Sequence, residues 1–162
     1  MRYRETLRSG DIYQLSATLP ADATARIKIE LWDGYGAFAG GTAHTGTFQL
    51  GGSDASAATC GVCAYVTRGS SSETQSDYVA LLAVAGTIDV TQLGGVGGTV
   101  MANGTNLELA QIDPTTSMAV ADGCTTMVEQ ASLTGTLMAS PGGEGTTGGH
   151  GGDGASSGDG SN

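Results

Sequence analysis

Polar and apolar residues alternate one by one along much of this chain, and this alternation limits the fold more than any other feature of the sequence. In the segment ARIKIELWDG, Ile27, Ile29 and Leu31 occupy every second position. Successive side chains of a β-strand point to opposite faces of a sheet, so the pattern predicts a strand with one buried face. The opposite face of this strand would carry Arg26, Lys28, Glu30 and Trp32.

About eight or nine segments carry strand patterns of this kind, and none carries a convincing helical pattern. The segment DYVALLAVAGTIDVTQL is long for one simple strand, and Gly86 predicts a bulge or turn near its middle. Asn103-Gly104 is a pair typical of tight hairpins and predicts a turn. Many short strands separated by turn residues predict an all-β fold, an antiparallel β-sandwich of about eight or nine strands.

The C-terminal part of the sequence differs from the rest. From Ser140 it reads SPGGEGTTGGHGGDGASSGDGSN, with no aliphatic residue larger than alanine and no aromatic residue. Such a segment cannot bury enough apolar surface to offset the entropy of ordering it. We therefore expect one β-sandwich domain over residues 1–139 and a disordered or extended Gly/Ser-rich tail over residues 140–162.

The composition favours an exported protein. Only 14% of the residues are charged, lysine occurs once, at Lys28, and glycine accounts for 28 of 162 residues. Low charge with many small, β-tolerant residues suits an exported β-rich protein better than a cytosolic enzyme. The formal net charge of −10 is spread along the chain, which argues against binding to nucleic acid or to an anionic membrane surface.

The start of the sequence bears on localisation. No stretch approaches the ~18 apolar residues that span a bilayer, so no transmembrane segment is expected. The first ten residues, MRYRETLRSG, lack the apolar segment of a signal peptide. Either the protein is cytosolic, or Met1 is not the native beginning of a longer exported precursor, and the composition favours the second interpretation.

Two of the three cysteines, Cys60 and Cys63, lie in the segment TCGVCAYV, and the third is Cys124. A thioredoxin-type site places its first sulfur at a helix N-terminus, whereas AYVTR predicts a strand after Cys63. A zinc site needs four ligands, and although His44 or His150 could join the cysteines, the usual second pair of ligands at short spacing is absent.

A structural disulfide is therefore the favoured interpretation, and two pairings stay open. Either Cys60 or Cys63 pairs with Cys124, closing a loop of about 60 residues that would contribute on the order of 3–4 kcal/mol. Alternatively Cys60 pairs with Cys63, and Cys124 stays buried and free.

The order of several segments resembles a group of uncharacterised exported bacterial proteins. HTGTFQLGG and ASAATCGVCAYV are followed by ALLAVAGTIDVTQL and then by NLELAQIDPTTSMAVADGCTTM, so residues 45–128 carry the match. The group, which includes many lipoproteins of myxobacteria-like organisms, is similar in its T-G-x-F-x-L, T-C-x-x-C, S/A-G-T-I and G-x-C elements. The resemblance implies export, a β-sandwich and oxidised cysteines at Cys60, Cys63 and Cys124, but no activity. The secretory or lipoprotein-type signal with which those proteins commonly begin is missing here.

One loop offers a candidate binding surface. Trp32, Tyr35 and Phe38 form the densest aromatic cluster of the sequence, and three rings in one loop could stack on a sugar or pack into a groove of a partner. Ser132 and His44 do not predict a hydrolase, because no G-x-S-x-G elbow accompanies them. We expect no catalytic residue, no metal and no cofactor.

These features together favour a non-enzymatic protein. The expected function is that of an exported or cell-surface module with a structural or binding role. Its expected partner is another cell-surface or extracellular protein, a glycan or a copy of itself, and not a nucleic acid. The alternative is a self-assembling extracellular filament or coat subunit that uses unpaired sheet edges or the tail.

Overall fold

The computed structural model describes residues 12–20, 22–69, 79–113 and 116–138, and most of this part is strand. Two short 3₁₀ helices, Gly36–Phe38 and Gly52–Ala55, flank β3. The strands are β1 (Ile12–Leu19), β2 (Asp22–Trp32), β3 (Gly46–Leu50), β4 (Val62–Arg68), β5 (Val79–Leu93), β6 (Thr99–Ile112) and β7 (Thr125–Thr136).

The seven strands of the described residues belong to one antiparallel sheet. The order across the sheet is β1-β2-β4-β5-β6-β7, and β3 pairs with the second half of β5, beyond the end of β4. The sheet is curled into a half-barrel. The predicted all-β class and antiparallel pairing are confirmed, but the part of the chain that the structure describes forms one curled sheet of seven strands where a sandwich of eight or nine was expected.

Two sequence signals explain the smaller number of strands. Asn103-Gly104 does not form a turn, because both residues lie inside the continuous strand β6, where they pair with Asp89 and Ile88 of β5. The turn between β5 and β6 lies at residues 94–98, where the Gly94 N–H donates to the Thr99 carbonyl. The segment TSMAVADG, which we expected from its sequence to be one of the strands, contributes only one isolated bridge, between Ile112 and Ala119.

Gly86 marks a bulge, as its position in a long apolar run predicted. Its φ is 116°, and the register of β5 against β6 shifts on both sides of it. A Cβ at this position would lie 2.5 Å from the carbonyl oxygen of Asn106, so the two strands approach too closely for any other residue. Bulges bend strands and increase their twist, and this one lets a single sheet wrap around its own core.

The main hydrophobic core lies on the inner face of the curl. Ile27, Ile29 and Leu31 of β2 are buried there, as the alternation predicted, and they share the core with Leu107 and Leu109 of β6. Burying one such side chain contributes roughly 1.5–3 kcal/mol to the stability of the fold. This core positions the sheet edges and the loop around the cysteines.

The β1–β2 hairpin is fixed at its turn by a carboxylate. Asp22 accepts hydrogen bonds from the hydroxyl and the backbone N–H of Thr24, at 2.6 and 2.9 Å, and forms an ion pair with Arg68 at 3.0 Å. The two bonds from Thr24, together with Arg68, hold the pKa of Asp22 below its ordinary value of 3.8. The hairpin fixes β1 against β2, which leaves the other edge of β1 at the end of the sheet.

The predicted tail, residues 140–162, lies outside the described residues, as do residues 1–11. The boundary of the domain at residue 139 stays a prediction.

Candidate functional site

Cys60 and Cys63 form a disulfide. Their Cα atoms are 5.5 Å apart, and neither side chain is exposed to solvent. Strand alternation does not separate the two sulfurs, because β4 begins only at Val62 and Cys60 lies in the irregular segment before it. Of the two pairings that the sequence left open, the structure has the one within TCGVCAYV.

Cys124 is free and exposed. The sequence predicted that it would be either bridged or buried, and the resemblance implied that it would be oxidised. Both expectations are wrong for this residue. It lies immediately before β7, where its N–H donates to Oε1 of Gln111 at 3.0 Å. Strands β5 and β6 lie between β4 and β7 in the sheet, so the segment of Cys124 does not neighbour the strand of Cys63.

The disulfide belongs to a second hydrophobic cluster on the opposite face of the sheet from the main core. Its neighbours there include Trp32, Tyr65 and Leu82, all buried. The Tyr65 hydroxyl lies 3.7 Å from Sγ of Cys60. The bridge is therefore part of the packed interior, unlike the accessible sulfurs of redox enzymes.

A buried carboxylate fixes the loop that the disulfide closes. Asp54, which is 6% exposed, accepts hydrogen bonds at a single oxygen, Oδ1, from three backbone N–H groups. The donors are Gly61 at 2.7 Å, Val62 at 3.1 Å and Ala37 at 3.3 Å. Gly61 and Val62 are the two residues between the bridged cysteines, so Asp54 and the disulfide hold the same four-residue loop, and Ala37 ties that loop to the helix Gly36–Phe38.

Two glycines make this close approach possible. A Cβ at Gly36 would overlap with Oδ1 of Asp54, and a Cβ at Gly61 would lie 2.7 Å from the carbonyl carbon of Tyr35. Gly36 also has a φ of 47°, in the left-handed region that favours glycine. Sequence reasoning missed this junction, because its only local signals were an Asp in a Gly/Ser-rich stretch and a glycine between two cysteines.

The aromatic loop does not form the surface expected for it. Trp32 is 2% exposed and lies in the cluster with the disulfide, and its indole N–H donates to Oε2 of Glu30 at 3.2 Å. Phe38 is 3% exposed and lies in the main core on the other side of the sheet. Tyr35 is half-buried. The rings of Trp32 and Phe38 are thus buried on opposite faces of the sheet. They cannot contact one partner together.

His44 and Ser132, which did not predict a hydrolase, belong to different elements, the loop before β3 and the strand β7. The ring of His44 packs on Phe38 and Phe48, with centroids 5.2 and 5.6 Å away. Ser132 lies on β7 beside the edge of the sheet. His150 lies outside the described residues, within which no group of three or more His, Cys, Asp or Glu side chains could hold a metal ion.

A cleft of about 350 Å³ runs between the two ends of the curled sheet. It is lined by residues 14–17 of β1 and residues 132–136 of β7. The edges approach closely, because a Cβ at Gly135 would lie 3.2 Å from Cδ2 of Leu15, but the two strands are not paired with each other. Within the described residues, the cleft is therefore bounded by the two end strands of the sheet.

Comparison with protein-family models, with curated proteins and with solved structures found no match to this chain. In the part of the chain that the structure covers, no helix has the length and apolar character needed to cross a bilayer.

Proposed function

We propose that the protein is a non-enzymatic module that is exported or held at the cell surface, where it has a structural or binding role. The observation that carries this proposal is the buried disulfide between Cys60 and Cys63. Disulfides form and persist in oxidising compartments and are rare in the cytosol. The low charge content, single lysine and many small residues agree with export.

The buried acidic groups support a structural role. Asp54 accepts three backbone N–H bonds, and Glu30 accepts the indole N–H of Trp32. Both carboxylates therefore serve the protein's own donors and stabilise the loop and the cluster around the bridge. A carboxylate engaged in this way contributes to stability rather than to proton transfer with a substrate.

The proposal is tested by making the full chain in two compartments of one bacterial host. We expect the chain directed to the oxidising periplasm to be more stable to unfolding than the chain kept in the reducing cytosol, by about 2 kcal/mol. That figure is the loop-entropy value for a bridge that closes only about four residues. The measurement is urea unfolding without reductant, followed by the fluorescence of Trp32, the single tryptophan.

The matched control is the double variant Cys60→Ala/Cys63→Ala, which should have the same stability from either compartment. Equal stability of the two unsubstituted samples would contradict the proposal, and so would degradation of the periplasmic sample alone.

A second candidate function is self-assembly into an extracellular filament or coat. The observation that favours it is the pair of sheet edges at β1 and β7, which lie at the two ends of the strand order. Natural proteins protect such edges with proline and with charged residues, lysine above all. Neither strand contains lysine, arginine or proline, and the single charged residue of the two strands is Glu129 of β7.

A further inference from the structure

We propose that the seam between β1 and β7 is an autoinhibitory latch, which covers both end strands of the sheet within one molecule and keeps them from pairing with a second copy until it opens. This inference rests on self-assembly, the second candidate function, and describes its regulation. The seam consists of the residues that line the cleft, 14–17 of β1 and 132–136 of β7.

The topology of the sheet allows its two end strands to close on each other. Six strands follow one another in the order β1-β2-β4-β5-β6-β7, and the five pairings between them are all antiparallel. β1 and β7 therefore run in opposite directions, as neighbours in an antiparallel sheet do. Closure at the seam would make a ring of antiparallel neighbours, in which neither β1 nor β7 presents an open edge.

The two strands already lie in side-chain contact at the seam. A Cβ at Gly135 would lie 3.2 Å from Cδ2 of Leu15, and among the described residues that are not adjacent to it in the chain it would meet nothing else within 4 Å. A strand inserted between β1 and β7 would need about 4.8 Å on each side of its backbone. The closed seam has no room for such a strand, so it withholds both edges from another molecule.

The main core holds the seam closed. The side chains of β1 and of β7 that point inward pack against the same core: Tyr13, Leu15 and Leu19 of β1, and Val128, Ala131 and Leu133 of β7. Separating the two strands would expose apolar surface on both of them, which opposes opening. The closed form is therefore the resting form of the molecule.

The seam is nevertheless the weakest joint of the sheet. In the part of the chain that the structure describes, β1 forms a ladder with β2 and β7 forms a ladder with β6, but no ladder joins β1 to β7. Opening the seam breaks side-chain contacts and leaves both ladders intact, and regions with fewer contacts to break open more readily. The opened strands carry one charged residue between them, Glu129, so little protects them from a further strand.

An engineered disulfide tests whether the seam closes within one molecule. In a Cys124→Ser background of the full chain, Ser16→Cys and Thr134→Cys are placed in the same chain. Both positions line the cleft, on opposite strands, next to the contact of Leu15 with Gly135. We expect mild oxidation with diamide to form an internal bridge, measured as intact mass and peptide map without reduction.

The matched control combines Thr134→Cys with Gln92→Cys in the same background. Gln92 and Thr134 both pair with Met101 of β6, from opposite sides, so the strand β6 separates them by about 10 Å. A disulfide needs Cα atoms within about 7 Å. The seam pair should therefore form its internal bridge several-fold faster than this control pair.

A substitution at Gly135 tests whether opening the seam permits assembly. Valine is a good strand former, the φ of Gly135 is not in the left-handed region, and the added methyl groups would overlap with Leu15. We expect Gly135→Val, in the Cys124→Ser background, to raise the fraction of dimers and larger species several-fold in sedimentation velocity. Adding Leu15→Ala removes the overlap and should return the chain to monomer, and circular dichroism checks that each variant is folded.

The possible failures are distinguishable. An internal bridge that forms no faster than in the control pair would overturn the latch. Equal assembly of the Gly135→Val chain and the chain without it would also overturn the latch, while leaving self-assembly in place. If the bridge forms but every folded variant stays monomeric, self-assembly through these edges fails and the latch fails with it. None of these results would affect the proposal of an exported module.

Discussion

Replacing Asp54 by alanine is expected to lower the free energy of unfolding by roughly 3–5 kcal/mol. The substitution removes the oxygen that accepts from Gly61, Val62 and Ala37, and it leaves their N–H groups near the buried disulfide without that acceptor. An unsatisfied buried donor costs about 1–3 kcal/mol, and bonds to a charged acceptor cost more to lose. Since small domains have only about 5–15 kcal/mol in total, this variant should be close to unfolding.

The comparison that isolates the effect uses two further variants. Asp54→Asn keeps an oxygen in place but removes the charge, so it should cost less, about 1–2 kcal/mol. Asp89→Ala removes a half-buried carboxylate that accepts one hydrogen bond, from the Thr47 hydroxyl, and it should cost below about 1 kcal/mol. Urea unfolding followed by Trp32 fluorescence gives all three values. A loss for Asp54→Ala no larger than that for Asp89→Ala would show that the three bonds do not hold the loop.

Replacing Gly61 by alanine is expected to destabilise the fold by more than about 3 kcal/mol. The added Cβ would overlap with the carbonyl oxygen of Tyr35 and lie 3.0 Å from the Ala37 nitrogen. All of these atoms belong to backbone, so a side-chain rotation cannot relieve the overlap. To accommodate the methyl group, the loop would have to move away from Asp54, which would also weaken the hydrogen bonds described above.

Gly95→Ala is the matched control for this substitution. A Cβ at Gly95 would meet nothing within 4 Å, so the change in stability should be within about 0.5 kcal/mol. Soluble yield and far-ultraviolet circular dichroism report on Gly61→Ala if it is too unstable for a urea titration. A Gly61→Ala protein with the stability of the Gly95→Ala protein would mean that the two segments are not in contact at this point.

The parts of the fold that the sequence predicted are those set by local alternation. Ile27, Ile29 and Leu31 face the core because residues two apart in a strand share a face, whatever the strand pairs with. The bulge at Gly86 was also predictable, since a glycine within a long apolar run has few other roles in a sheet.

The parts that were wrong or missed depend on contacts between distant residues. Asn103-Gly104 has strong turn propensity, but Gly104 is packed against Leu107 and Ile88 within a paired strand, and the sheet overrides the local preference. One curled sheet and two packed sheets both need apolar and polar residues to alternate along each strand. The alternation therefore could not distinguish a half-barrel from a sandwich. Asp54 was missed because its donors, Ala37 and Gly61, are brought to it only by the fold.

The cysteine pairing shows the same limit. Positions three apart in a regular strand point to opposite faces, which would separate Cys60 from Cys63 if both lay in a strand. Because β4 begins at Val62, Cys60 lies before the strand, and the constraint does not apply to it. The bridge therefore closes a short loop and contributes about 2 kcal/mol instead of the larger value expected for a long one.

The central claim is that a disulfide between Cys60 and Cys63 cross-links the fold. Its most direct test is the intact mass of the exported full chain after alkylation in denaturant, measured with and without prior reduction. Without reductant we expect one alkylated thiol, mapped to Cys124, and after reduction two more, at Cys60 and Cys63. Three alkylated thiols in the unreduced sample, or a bridge that includes Cys124, would contradict the account.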